Sequence, residues 1–134
     1  MTQTEVATSS SQLTKTCSGC QRTLSTSLYT KKSSNKDGLE ARCIECRAHD
    51  RRLSQYDLTP AQYLRLGYLQ DWQCAICRTP QCELEHGLMV DHNHESGKVR
   101  ALLCRACNLG LGNFYDDPHK LKRAAEYLEL MEEE

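Results

Sequence analysis

The chain has no long apolar run and no apolar signal-peptide core. This excludes a membrane-spanning helix and points to a reducing compartment. It also lacks an overall charge: the formal net charge is −1 over 134 residues, so total charge does not announce nucleic acid. No internal repeat is present beyond a doubled cysteine pattern, and residues 1–14 are rich in Thr and Ser with almost nothing to bury. Those residues are expected to form a disordered tail. A chain of this length forms one domain or two small ones, and modules of that size often need a metal or disulfides to hold them.

What is present is cysteine. Eight of the nine cysteines form four C-x-x-C pairs: Cys17/Cys20, Cys43/Cys46, Cys74/Cys77 and Cys104/Cys107. Disulfide frameworks and redox dithiols seldom come as evenly paired knuckles, whereas zinc sites do. Four thiolates close a tetrahedral zinc site, so the spacing predicts two structural Zn²⁺ ions. Cys82 has no C-x-x-C partner and is read as a free thiol.

The cysteines organise the chain. Residues 15–50 read as a zinc-ribbon-like module, two knuckles joined by a hairpin that turns at Asn35–Gly38. Residues 51–57 read as a basic linker or part of a short helix, and residues 58–134 as a second module. Residues 15–53 carry nine Lys/Arg against four Asp/Glu; residues 54–134 carry eight against thirteen. The basic half could meet a phosphate backbone, with Lys31, Lys32, Lys36, Arg42, Arg47, Arg51 and Arg52 as candidate contacts, or it could be an ordinary solvated surface.

In the second module Thr59, Pro60 and Gln62 announce a helix start with a capping box. Tyr63, Leu66 and Gly67 mark its inner face, and Trp72 is expected to pack under the nearby knuckle. Leu88–His92 and Lys98–Leu103 read as two strands around a polar turn, and Cys104 begins a knuckle leading into a helix. Asp117-Pro118 caps a final helix whose stripe of Leu121, Ala124, Ala125, Leu128 and Met131 is expected to be core, with a dimer seam as the lesser reading.

Between the second pair of knuckles lie Asp91, His92, Asn93 and His94, and Asn108 follows Cys107. Cutting a phosphodiester needs a cation to stabilise phosphate charge and a base to deprotonate water. Asp91 and the Asn108 carbonyl are hard oxygen ligands suited to Mg²⁺. His92 is the natural base. The bland readings are His92 or His94 as zinc ligands, Asp91 as a turn residue and Asn108 as a local cap. Arg100 and Arg105 fit phosphate contact and solvent equally, and Lys98 leans to solvent. His49, His86 and His119 show no ligand pattern.

Asp91-His92-Asn93-His94, followed by Gly97-Lys98-Val99-Arg100-Ala101-Leu102-Leu103-Cys104-Arg105-Ala106-Cys107-Asn108, closely resembles the phage recombination endonuclease VII family of HNH, or ββα-metal (His-Me finger), nucleases. The resemblance spans residues 58–130 and is strongest at 74–113. It implies a small α+β fold, a zinc-stapled ββα-metal domain preceded by a zinc ribbon. It implies that Asp91 and Asn108 hold one Mg²⁺ or Mn²⁺, that His92 activates water, and that His94 assists at the phosphate or leaving group. Cys74, Cys77, Cys104 and Cys107 then look like the family's structural zinc ligands. The implied partner is DNA, with no membrane; a homodimer is possible but not implied. The implied setting is cytoplasmic, in a phage host or a bacterial cytosol. The alternative is a non-catalytic double zinc module that binds DNA or protein.

Overall fold

A computed structural model of the chain describes residues 13–132. It divides into two compact units, up to Ser54 and from Gln55 onward. Most of the expected tail, residues 1–12, lies outside the described residues, but Thr14 opens a strand.

In the first unit, strand β1 (Thr14–Thr16) pairs antiparallel with β2 (Thr23–Ser25). The knuckle Cys17–Cys20 is therefore itself a hairpin turn. The Cys17 amide bonds to the Arg22 carbonyl, and the Gln21 amide to the Cys17 carbonyl, both at 2.9 Å. This differs from the expected hairpin around Asn35–Gly38. That turn does form, with Gly38 at φ +70°, but a single bridge, Lys31 to Leu39, flanks it. Cys17, Tyr29, Cys43 and Cys46 make the core, with Leu24 and Leu39 against it. The Tyr29 hydroxyl donates to the Lys15 carbonyl at 2.7 Å, so the buried phenol is satisfied.

Helix α1 (Ile44–Tyr56) starts inside the second knuckle. Residues 51–56 are the last turns of this helix, in line with the helical reading of that stretch, and Asp57 follows it. No Pro or Gly interrupts residues 44–56, so nothing stops the helix once the knuckle has turned the chain.

The second unit begins with helix α2 (Pro60–Leu69), whose Thr59–Gln62 capping box is complete. Gln70 follows and acts as a clip. Its side-chain amide donates to the Leu102 carbonyl at 2.8 Å and accepts from the Leu102 amide at 2.9 Å. Strands β3 (Met89–His92) and β4 (Val99–Leu103) pair antiparallel. Asn93 closes their turn by accepting from the amides of Glu95 and Ser96, and Gly97 takes φ +73°. Leu58, Tyr63, Val90 and Leu102 form one core cluster, joined by Trp72 and Val99. Leu103 turns to the second cysteine group with Cys74 and Cys104.

Helix α3 (Arg105–Asn113) packs on β3, and α4 (Pro118–Glu132) follows. The Asp117 carboxylate accepts from the His119 amide, as expected of an N-cap. The stripe on α4 corrects an expectation: the helix buries no residue, and Leu128 and Met131 are each 58% exposed. Periodicity fixes which face is apolar, but not whether anything covers it. Among the described residues no helix is long and apolar enough to cross a membrane.

Candidate active site

Each group of four cysteines brings its sulfurs within 4.8 Å of one another. A regular tetrahedron with Zn–S bonds of about 2.3 Å has edges of about 3.8 Å. The Cys17–Cys46 and Cys77–Cys104 sulfurs are 3.8 and 3.7 Å apart. Backbone N–H groups point at the sulfurs, among them Cys43 on Cys17 at 3.2 Å and Cys107 on Cys104 at 3.4 Å.

The electrostatics fit a cation in both places. The Cys43 amide leads the bonds that draw the Cys17 thiol down to about 6, and the Thr79 hydroxyl does the same for Cys77. Burial pushes Cys46 and Cys107 up to about 12. Four sulfurs so close are all anionic only when a cation shares them. Cys82 is exposed and stands outside both groups.

The second group anchors the start of the helix that carries Asn108. Cys104 is the N-cap of α3, its sulfur accepting from the Cys107 amide. Asn108 lies in the first turns of that helix, half-buried. Asp91 and His92 end β3, against which α3 packs.

The β3–β4 ladder is irregular at this point. Asp91 faces Ala101, yet His92 faces Val99, so Arg100 is the extra residue of a β-bulge. The bulge aims Arg100 at Asp91, whose carboxylate is 5% exposed and the only buried acidic group among the described residues. Arg100 Nε and Nη2 donate to its two oxygens at 2.6 and 2.8 Å, a bidentate fork. Nη2 also reaches Asp116 Oδ2 at 3.2 Å. Hydrogen bonding to Asp91 raises the Arg100 pKa further, so the group stays charged. The site therefore sets two carboxylates against one guanidinium.

The His92 ring is half-buried between Tyr56, at 5.1 Å between centroids, and His94, at 4.7 Å. His94 is exposed, with Nε2 4.0 Å from Asp116 Oδ2. A cleft of about 420 Å³ opens beside these residues, walled by Asn93, His94, Arg100, Tyr115 and Asp116. Asp91, His92 and Asn108 are not among its walls. Asp91 and Asn108 carry the hard oxygen donors that suit a small divalent cation, and both Asp91 oxygens are taken up by Arg100.

Sequence reasoning did not single out Asp116, Gln70 or Tyr56. Asp116 carried no local signal, since it adjoins the Asp117-Pro118 helix start. Arg100, weighed between phosphate and solvent, is held by two carboxylates of its own chain. Arg105 is exposed, its Nη1 3.5 Å from His86 Nε2. In the first unit Lys32 and Arg47 lie near Glu40 at 3.6 and 3.8 Å, and Arg42 pairs with Asp50 at 2.7 Å. Arg52 contacts His49 at 3.0 Å. Lys31, Lys36 and Arg51 are exposed and make no ion pair among the described residues.

The family model for recombination endonuclease VII matches residues 49–130, more than half of the chain. The Gene 59 proteins of Mycobacterium phages L5 and D29 are 39% and 38% identical over 79 residues. Those alignments cover 58% of this chain and 48% and 47% of the relatives, so the chain spans about half the length of the curated relatives it matches. Among solved structures, the ββα-Me type II restriction endonuclease Hpy99I is similar, with a TM-score of 0.41 and 26% identity, covering 88% of this chain and 66% of that one. With most of its second unit and all of its Asp91–Asn108 motif inside the matched span, the chain belongs to the recombination endonuclease VII family.

Proposed function

We propose that this chain is a metal-dependent DNA endonuclease that hydrolyses phosphodiester bonds by the one-metal HNH mechanism. The observation that carries the reading is the buried Asp91 carboxylate beside His92 on β3, braced by a four-cysteine group whose helix carries Asn108. Asp91 and Asn108 hold Mg²⁺ or Mn²⁺. When bound, that ion supplies positive charge at the scissile phosphate and the leaving oxygen. His92 accepts the proton of the attacking water on a ring nitrogen, its ring held by Tyr56 and His94. His94, exposed at the cleft, assists at the phosphate or leaving group. Arg105 and the unpaired cations of the first unit contact the DNA backbone. Both four-cysteine groups hold structural Zn²⁺. The activity belongs to a nucleic-acid-containing cytoplasm, of a phage host or a bacterium.

The second reading is a non-catalytic double zinc module that binds DNA or protein. The Asp91–Arg100 fork favours it, since a purely structural Asp91 would make the same pair. Nicking of supercoiled plasmid separates the two. The enzyme reading expects nicking with Mg²⁺, none with EDTA, and nicking slowed about 10²–10⁴-fold by His92→Ala. A module that binds DNA but never nicks it supports the second reading.

A further inference from the structure

Arg100 and Asp116 have no part in the reaction as proposed, yet the fold brings them together at Asp91. Arg100 is the residue that the β3–β4 bulge leaves unpaired and turns toward Asp91. Asp116 sits between α3 and α4, where Tyr115 and Asp116 both take left-handed φ, 57° and 54°. The same doublet, Asp71 and Trp72 at 52° and 53°, turns the chain after α2, so here it serves as a tight helix exit. It brings the Asp116 carboxylate to Arg100, where only one of its oxygens is used. Asp116 Oδ1 is buried with no hydrogen-bond partner.

These facts describe one guanidinium and two unequal receivers. Asp91 takes two N–H bonds from Arg100; Asp116 takes one and has a buried lone pair to spare. A divalent cation on Asp91 would meet a like charge on the same carboxylate, which is unfavourable in a partly buried site. Rotation of Arg100 onto Asp116 would remove the conflict and offer Oδ1 a donor.

We propose that Arg100 is a built-in competitor of the divalent cation at Asp91, and that Asp116 is the carboxylate that receives Arg100 when the cation binds. The inference rests on the metal role proposed for Asp91. Both are positioning residues: they set how tightly the ion is held, and how fully Asp91 is occupied without it.

The test is Mn²⁺ binding to the zinc-loaded full chain without DNA, read by electron paramagnetic resonance of the free ion. Arg100→Gln removes the competitor and should tighten binding at least about fivefold, the scale of an ordinary coupling between linked events. Asp116→Asn leaves Arg100 to Asp91 and should weaken binding. In the Arg100→Gln background Asp116→Asn should then have no effect, because Asp116 acts through Arg100. Equal weakening in both backgrounds would mean that Asp116 acts on the ion directly and would overturn the proposal, as would unchanged or weaker binding by Arg100→Gln. A measurement on the unmutated chain guards against misfolded variants. The ¹⁵Nε resonance of Arg100 should shift as Mg²⁺ is added, with the midpoint of ion binding; a resonance that stays put overturns the exchange. Asp91→Asn separates the two levels. If Mn²⁺ binding survives it, the metal site itself is wrong and the proposal falls with it. If binding is lost but Arg100→Gln does not tighten it, only the competition is wrong.

Discussion

Gly67→Ala makes a prediction whose sign opposes helix propensity. Gly67 lies inside α2, where alanine is favoured by about 1 kcal/mol. A Cβ there would meet three ring carbons of Trp72 closer than 3.0 Å, a separation Cβ atoms essentially never show. The Trp72 amide bonds the Gly67 carbonyl at 2.8 Å, which holds the indole over this glycine, so the ring must tilt away to admit a methyl. Overpacking of this kind costs about 1–3 kcal/mol. Displacing the indole further weakens its edge contacts with Tyr63 and Tyr68, both at 5.7 Å, each contributing about 0.5–1.5 kcal/mol. The net expectation is a loss of about 1–3 kcal/mol, or roughly 4–8 °C in Tm per kcal/mol for a unit of this size. Trp72 is the single tryptophan, so its fluorescence reports melting of this unit. Gly110→Ala in α3, whose Cβ would meet nothing within 4 Å, is the control and should stabilise by up to about 1 kcal/mol. If Gly67→Ala melts at or above the parent temperature, the described packing of Trp72 is wrong.

Metal analysis after dialysis should find two zinc ions per chain, with Cys82→Ser unchanged and Cys77→Ser losing one; zinc loss in Cys82→Ser would mean the ligand set is misassigned. Neutralising Lys31, Lys36 and Arg51 together should make the slope of log DNA affinity against log salt shallower by at most about 2.7, three phosphate contacts' worth. Neutralising the paired Lys32, Arg42 and Arg47 should change it less; the reverse order would refute the surface assignment. Thr59→Ala removes the capping box of α2 and should cost about 1 kcal/mol in the same fluorescence melt. Asp91→Ala and Asn108→Ala should both lower Mg²⁺-dependent nicking, Asp91→Ala more, because it removes an anionic ligand.

The elements legible in the sequence were those set by local rules. The start of α2, the β3–β4 hairpin and the cap of α4 each follow from side chains bonding nearby backbone. The cysteine quartets were legible from spacing, because a C-x-x-C turn aims both sulfurs the same way. What stayed hidden depended on long-range pairing. The Arg100 bulge breaks strict alternation, and no residue type announces it. Asp116 joins the site only because α3 turns back through two left-handed residues. The stripe on α4 told of an apolar face, but its covering is a property of neighbours. The first hairpin formed at the Cys17–Cys20 knuckle because thiol–amide bonds turn the chain there, a signal weaker in sequence than Asp37-Gly38.

The most direct test of the central claim is plasmid nicking by His92→Ala alongside the parent chain, in Mg²⁺, with zinc content and DNA affinity measured on the same samples. The account predicts a fall in nicking rate of about 10²–10⁴, with two zinc ions and unchanged affinity. Nicking at the parent rate by His92→Ala would contradict it.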